Sequence, residues 1–243
     1  MVTLPTGLRR AESPLAQSLR VWVALLGVLA CVQLFITTIG AGLERDPRSA
    51  LFGWPAIAIV GAAGLIGIWL SHRTGFPAPT TVGRWAIPMG VGIGLTMAAG
   101  DVVFGWTRYF AAQHTLETFN VPFPGSVLFY TGGAIISEVL FRLLPIPLLL
   151  WLVSQLVLRG RAETQVFWIL AVLTSLIEPV LQDLLQVRPE TLVLALTQFI
   201  PDYGLNFGQA VLFRRYGFPA AIVMRVAFYL VWHVAYGNFI CRC

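Results

Sequence analysis

Long apolar runs follow one another along this chain, each stopped by a charge or a Gly/Pro cluster. In lipid a segment of that kind can satisfy its backbone N–H and C=O groups only by forming a helix. The runs fall at about 19–43, 51–71, 84–106, 125–143, 146–158, 164–186, 190–213 and 217–240. They predict an all-α, polytopic membrane bundle of about eight transmembrane helices. Only 11% of residues are charged and 57% are hydrophobic, whereas a soluble domain carries roughly a quarter charged residues. With 243 residues the chain has room for such a bundle and no second folded domain. The predicted organisation is a polar N-terminal tail over 1–18 and one membrane domain over 19–243. Its primary partner is the lipid bilayer.

Every one of the 16 basic residues is an arginine, and they are scattered over helix ends with no dense basic face. That pattern gives no support to nucleic-acid binding. Arg9, Arg10 and Arg20 lie before or at the start of the first span and favour an N-terminus in the cytoplasm, and an even number of spans returns the C-terminus there. The expected location is the cytoplasmic (inner) membrane of a bacterium. Residues 107–125 interleave aromatics with polar groups and read as an interfacial segment. Cys31 lies in the first span and is expected to be a small buried hydrophobe.

Ionisable residues inside a span cost roughly 2.5–3.5 kcal/mol each on insertion scales, so each should face the bundle interior and find a partner. The deep candidates are Glu138, Arg142, Glu178, Asp183, Asp202, Arg225 and His233. Glu138 and Arg142 are spaced i and i+4, which puts them on one helix face. Arg225, Tyr229 and His233 extend the same spacing over two turns. Two neutral ion pairs, Glu138 with Arg142 and Glu178 with Arg225, would pin several helices together. A hydrolytic site is the alternative, with Glu138 as base and His233, Tyr229 or Arg225 as donors to an oxyanion. Only Glu138, Glu178 and His233 offer ligands to zinc, and no cofactor is called for. A third alternative, a small transporter, draws on the glycine-rich third span and Asp101, although no internal repeat supports it.

"SEVLFR" (137–142) resembles the first motif, Glu-Glu-x-x-x-Arg, of the CPBP family of type II CAAX prenyl proteases, lysostaphin-resistance proteins and bacteriocin-processing proteins. "FWILAVLTSLIEP" (167–179) is similar to the family helix carrying Phe-x-x-x-His, and residues 206–233 resemble its closing helix pair. The resemblance covers about residues 85–240 and implies an intramembrane endopeptidase acting on membrane or prenylated peptides. It makes Glu138 the water-activating glutamate and Arg142 the motif arginine. It also marks departures. Ser137 stands for the first glutamate, Thr174 for the phenylalanine, Glu178 and Arg225 for the two histidines and Tyr229 for an Asn/Asp, while His233 matches a trailing histidine. Arginine keeps its proton and an ionised glutamate repels an oxyanion, so the family mechanism cannot run unaltered. The favoured expectation is therefore a catalytically degenerate relative, a scaffold, binding protein or subunit of a membrane complex. The divergent endopeptidase is second.

Overall fold

A computed structural model describes residues 13–40, 43–107, 120–184 and 192–241. Those residues form seven long helices, with no strand among them. We label them α1 (Pro14–Thr38), α2 (Trp54–Arg73), α3 (Ala86–Phe104), α4 (Gly125–Val157), α5 (Glu163–Pro179), α6 (Leu192–Tyr216) and α7 (Phe218–Cys241). Short 3-10 turns at Leu43–Arg45 and Pro47–Phe52 link α1 to α2.

Six helices are long and apolar enough to cross a membrane, where the sequence predicts about eight. Two differences account for this. The expected fourth and fifth spans are one helical run of 33 residues, α4, because Pro145 and Pro147 widen the helix instead of ending it. The expected seventh span forms α6, whose polar residues take it out of that set. The helix α1 starts at Pro14, inside the segment expected to be a polar tail, with the Ser13 side chain accepting from the Ala16 N–H at its cap. Most of the expected interfacial segment, residues 108–119, lies outside the described residues.

The helices alternate in direction. At one face of the bundle the start of α1 meets the α2–α3 connection: Gln17 donates to the Pro79 carbonyl, and Ser18 Oγ lies 3.0 Å from His72 Nε2. Arg214, at the end of α6, donates there to the Thr74 carbonyl and to Glu163 at the start of α5. We call this the proximal face. At the opposite, distal face the Phe123 N–H before α4 donates to Asn238 near the end of α7 at 2.8 Å. Trp106, just beyond α3, donates to Thr197 of α6. The start of α1 and the end of α7 thus lie at opposite faces, because seven long helices alternate among the described residues. The expectation of both termini on one side rested on an even count.

The outside of the bundle is oily: Val23, Ile59, Leu95, Val102 and Ile169 are each more than half exposed. Scattered exposed apolar residues are ordinary, but a continuous coat on helices of this length matches lipid as solvent. Cys31 belongs to this exposed surface and is not buried as expected. Inside, glycines set the closest approach. A Cβ on Gly90 would sit 2.1 Å from the Met224 carbonyl oxygen, and one on Gly94 would sit 2.8 Å from Val231 Cβ. The glycine-rich third span is therefore the surface on which α7 packs. Asp101, at its end, accepts from the Thr107 N–H at 2.7 Å and from Tyr236 at 2.8 Å, tying the distal turn to α7.

Candidate functional site

Three helices carry the two buried ion pairs, and each changes pitch near the charges it bears. In α4 the wide, π-type turn covers Val139–Leu143, directly after Glu138. Pro145 has no N–H for the carbonyl four residues back, and the Leu144 N–H reaches five residues back, to Val139, at 3.2 Å. The neighbouring helix makes room for this widening. A Cβ on Gly67 of α2 would meet the Leu143 carbonyl oxygen at 2.4 Å. Directly after α5 the same widening continues the helix over Val180–Leu184, next to Glu178 and Pro179. In α7 it covers Leu230–Cys241, directly after Tyr229.

These helices converge on two ion pairs bridged by one amide. Arg142 Nε donates to Glu138 Oε2 at 2.7 Å, with both side chains at most 1% exposed. Arg225 grips both oxygens of Glu178, at 2.6 and 2.5 Å. The Asn206 side-chain oxygen on α6 accepts from Arg142 Nη1 at 2.7 Å and from Arg225 Nη2 at 3.1 Å. Arg225 Nε donates to Gln209, and Nη1 donates also to the Tyr229 hydroxyl, each at 3.1 Å. A guanidinium has five N–H donors, and Arg225 has committed all five. Asn206 and Gln209 are themselves held by the Asp202 and Ala221 carbonyls. Two buried atoms of this cluster have no hydrogen-bond partner: Glu138 Oε1 and Arg142 Nη2.

Glu138, Arg142, Glu178, Arg225 and Tyr229 thus come together, and both ion pairs expected from the sequence form. His233 does not join them. Its Nδ1 lies 2.8 Å from Asn120 Oδ1, and its ring stacks on Tyr130 with centroids 4.2 Å apart. It stays beside Tyr229, with ring centroids 5.1 Å apart, but its hydrogen bond goes to Asn120 and not to the ion pairs. Ser137 is half-buried next to Glu138. Thr174 is buried and donates to the Leu170 carbonyl. Asp202 is buried one turn before Asn206, and the side chain of Asp183 lies outside the described residues. Among the described residues no three metal-ligating side chains cluster.

The sequence reading missed Asn206 and Gln209. Their signal was present, since Asp202, Asn206 and Gln209 are spaced i, i+4 and i+7 and share one face of α6. It also missed Asn120, whose amide answers His233 from outside the helices.

Comparisons with protein families, with curated proteins and with solved structures find no match to this chain.

Proposed function

We propose that this chain is a catalytically silent, CPBP-like membrane scaffold that serves as a binding subunit for other membrane proteins. The observation that carries this reading is the committed state of Arg225. Where the resemblance places a histidine able to stabilise an oxyanion, a guanidinium spends its five donors on Glu178, Gln209, Tyr229 and Asn206. No donor is left over for charge that develops in a transition state, and Glu178 already holds that guanidinium as a neutral partner. The test is incubation of the protein in nanodiscs with prenylated and membrane-segment peptides, beside Glu138→Gln. The expected result is no cleavage that depends on Glu138, together with a stoichiometric membrane-protein complex by native mass spectrometry. Cleavage abolished by Glu138→Gln overturns the proposal.

One observation favours a second reading, the divergent endopeptidase. Glu138 Oε1 and Arg142 Nη2 are buried without partners, so the carboxylate that would activate water keeps one oxygen uncommitted. In that reading Tyr229 and His233 supply the donors.

We further propose that all seven helices cross a bacterial cytoplasmic membrane. The helix α6 has 25 residues, about 37 Å of helix, and keeps its polar face on the buried cluster. Among the described residues, Arg20, Arg73, Arg84, Arg159, Arg161, Arg214 and Arg215 lie at or near the proximal face, against Arg45 and Arg48 at the distal one. Arg73 lies over Trp69 at 4.9 Å and Arg84 over Trp85 at 5.3 Å, aromatic–cation pairs suited to a headgroup layer. The positive-inside tendency makes the proximal face, with the N-terminus, cytoplasmic and the end of α7 extracytoplasmic.

A further inference from the structure

The buried polar groups are not spread evenly along the bundle. From Arg225 towards the distal face they form an unbroken ladder between α4 and α7. Arg225 Nη1 bonds to Tyr229, whose ring lies 5.1 Å from that of His233 and 5.5 Å from that of Tyr130. Tyr130 and His233 both reach Asn120 Oδ1, and the Tyr130 hydroxyl accepts from the Val121 N–H. Asn238 then donates to the His233 carbonyl and accepts from Phe123 at the distal surface. Arg48 and Asp46 stand at the same mouth, with the Arg48 guanidinium 5.8 Å from the centre of the Phe129 ring.

Towards the proximal face the interior has a different character. Phe76 stacks on Phe213 at 4.3 Å and meets Phe167 edge-on at 6.0 Å, and all three are buried. The Arg214 guanidinium caps this plug, lying over both Phe76 and Phe167. The buried hydroxyls of this half have their protons committed to backbone carbonyls: Ser71 to Gly67, Thr74 to Leu70 and Ser154 to Arg161. Among the described residues, no side-chain hydrogen bond crosses the plug to join the cluster to the Arg214–Glu163 pair at the proximal face.

We infer that the Glu138–Arg142–Glu178–Arg225 cluster is reached by water and small polar solutes from the distal face only, along the Tyr229–His233–Asn120 ladder. Gly133, Ser137, Tyr229 and His233, along this ladder, are each half-buried, whereas Phe76, Phe167 and Phe213 on the proximal side are buried. The inference rests on the seven-crossing reading and is independent of whether Glu138 is catalytic. It gives the cluster one aqueous side, opposite the arginine-rich one.

Single cysteines test it in a background with Cys31, Cys241 and Cys243 replaced by serine. Gly133→Cys and Ser137→Cys probe the ladder; a Cβ at Gly133 meets only Tyr229, at an ordinary 4.0 Å. Ala210→Cys probes the buried proximal half, and Thr80→Cys and Glu44→Cys mark the proximal and distal faces. Membranes are treated from each side with a membrane-impermeant thiosulfonate, then with a permeant fluorescent maleimide after solubilisation in SDS. The SDS step counts every thiol, and a single peak on size exclusion certifies folding of each variant. The expected result is loss of fluorescent labelling at 133 and 137 from the side that blocks 44, with none from the side that blocks 80 and none at 210 from either. Blocking of 133 and 137 from the side of 80, or full protection from both sides, overturns the inference. If 80 and 44 are blocked from the same side, α2 does not cross and the membrane placement on which the inference rests fails instead.

Discussion

Replacing Arg225 with Met is the most informative single perturbation of this bundle. It strands the Glu178 carboxylate, which is 4% exposed and keeps a bond from Gln182 at 3.3 Å. It also frees acceptors on Gln209, Asn206 and Tyr229. Removing one member of a buried pair typically costs about 3–5 kcal/mol, most of it from the orphaned charge. Glu178→Leu strands Arg225 in the same way, with three neutral partners in place of a carboxylate. If the two changes acted independently, the double variant would lose about 6–10 kcal/mol, more than half the stability of many domains. If the pair is a mutually dependent unit, the double variant loses only about 1–3 kcal/mol, the residue of unmet amide and hydroxyl groups. In apparent melting temperature, each single change would then cost about 6–20 °C and the double distinctly less, at about 2–4 °C per kcal/mol for a chain of this size. The eight tryptophans provide the readout, as intrinsic fluorescence on heating in detergent at one fixed scan rate. A double variant as unstable as the summed singles would refute the argument that burial, and not bond number, dominates this pair.

Two further outcomes follow from contacts elsewhere. Gly90→Leu drives a side chain into the Met224 carbonyl where α3 meets α7, and overpacking of that kind costs about 1–3 kcal/mol, read as a lower melting temperature with no recovery from added lipid. At the distal mouth, burial alone raises the pKa of Asp46, but the hydrogen bonds and charge of Arg48 outweigh it and hold the carboxyl below its ordinary value. Its contribution is therefore complete above the ordinary carboxylate range and is lost as pH falls through the depressed folded value. Asp46 also caps the 3-10 turn by accepting from the Arg48 N–H, so Asp46→Ala should cost about 0.5–2 kcal/mol at neutral pH. That deficit should vanish in acid melts; a deficit unchanged at low pH would refute the charge account.

The chain's charges and prolines left some of this legible and hid the rest. Helix class and both ion pairs could be read because a lone charge in an apolar run must find a partner, and only a few candidates exist. Glu138 with Arg142 was visible from spacing alone; Glu178 with Arg225 was visible because each stood where a histidine was expected. What spacing left out was the choice of partner and the pitch at proline. His233 is the next rung beyond Tyr229, but it spends its hydrogen bond on Asn120 and its ring on Tyr130 instead of on the ion pairs. Pro145 and Pro147 looked like a break between two spans, yet a missing N–H near a helix centre is absorbed by reaching one residue further back. Asn206 and Gln209 went unseen because uncharged amides raise no alarm in a hydropathy pattern, although here they divide two guanidinium groups between them.

The two ion pairs also differ in how the growing chain can acquire them. Glu138 and Arg142 leave the ribosome four residues apart and enter lipid on one helix as a nearly neutral dipole. Glu178 and Arg225 are separated by 47 residues and lie on different helices. Synthesis delivers α5 first, so its glutamate must be sheltered, by water, a proton or the insertion machinery, until α7 brings the matching guanidinium. Chains stalled or truncated between residues 184 and 225 would hold one uncompensated acid in the membrane, a mark by which quality control could tell them from the finished protein.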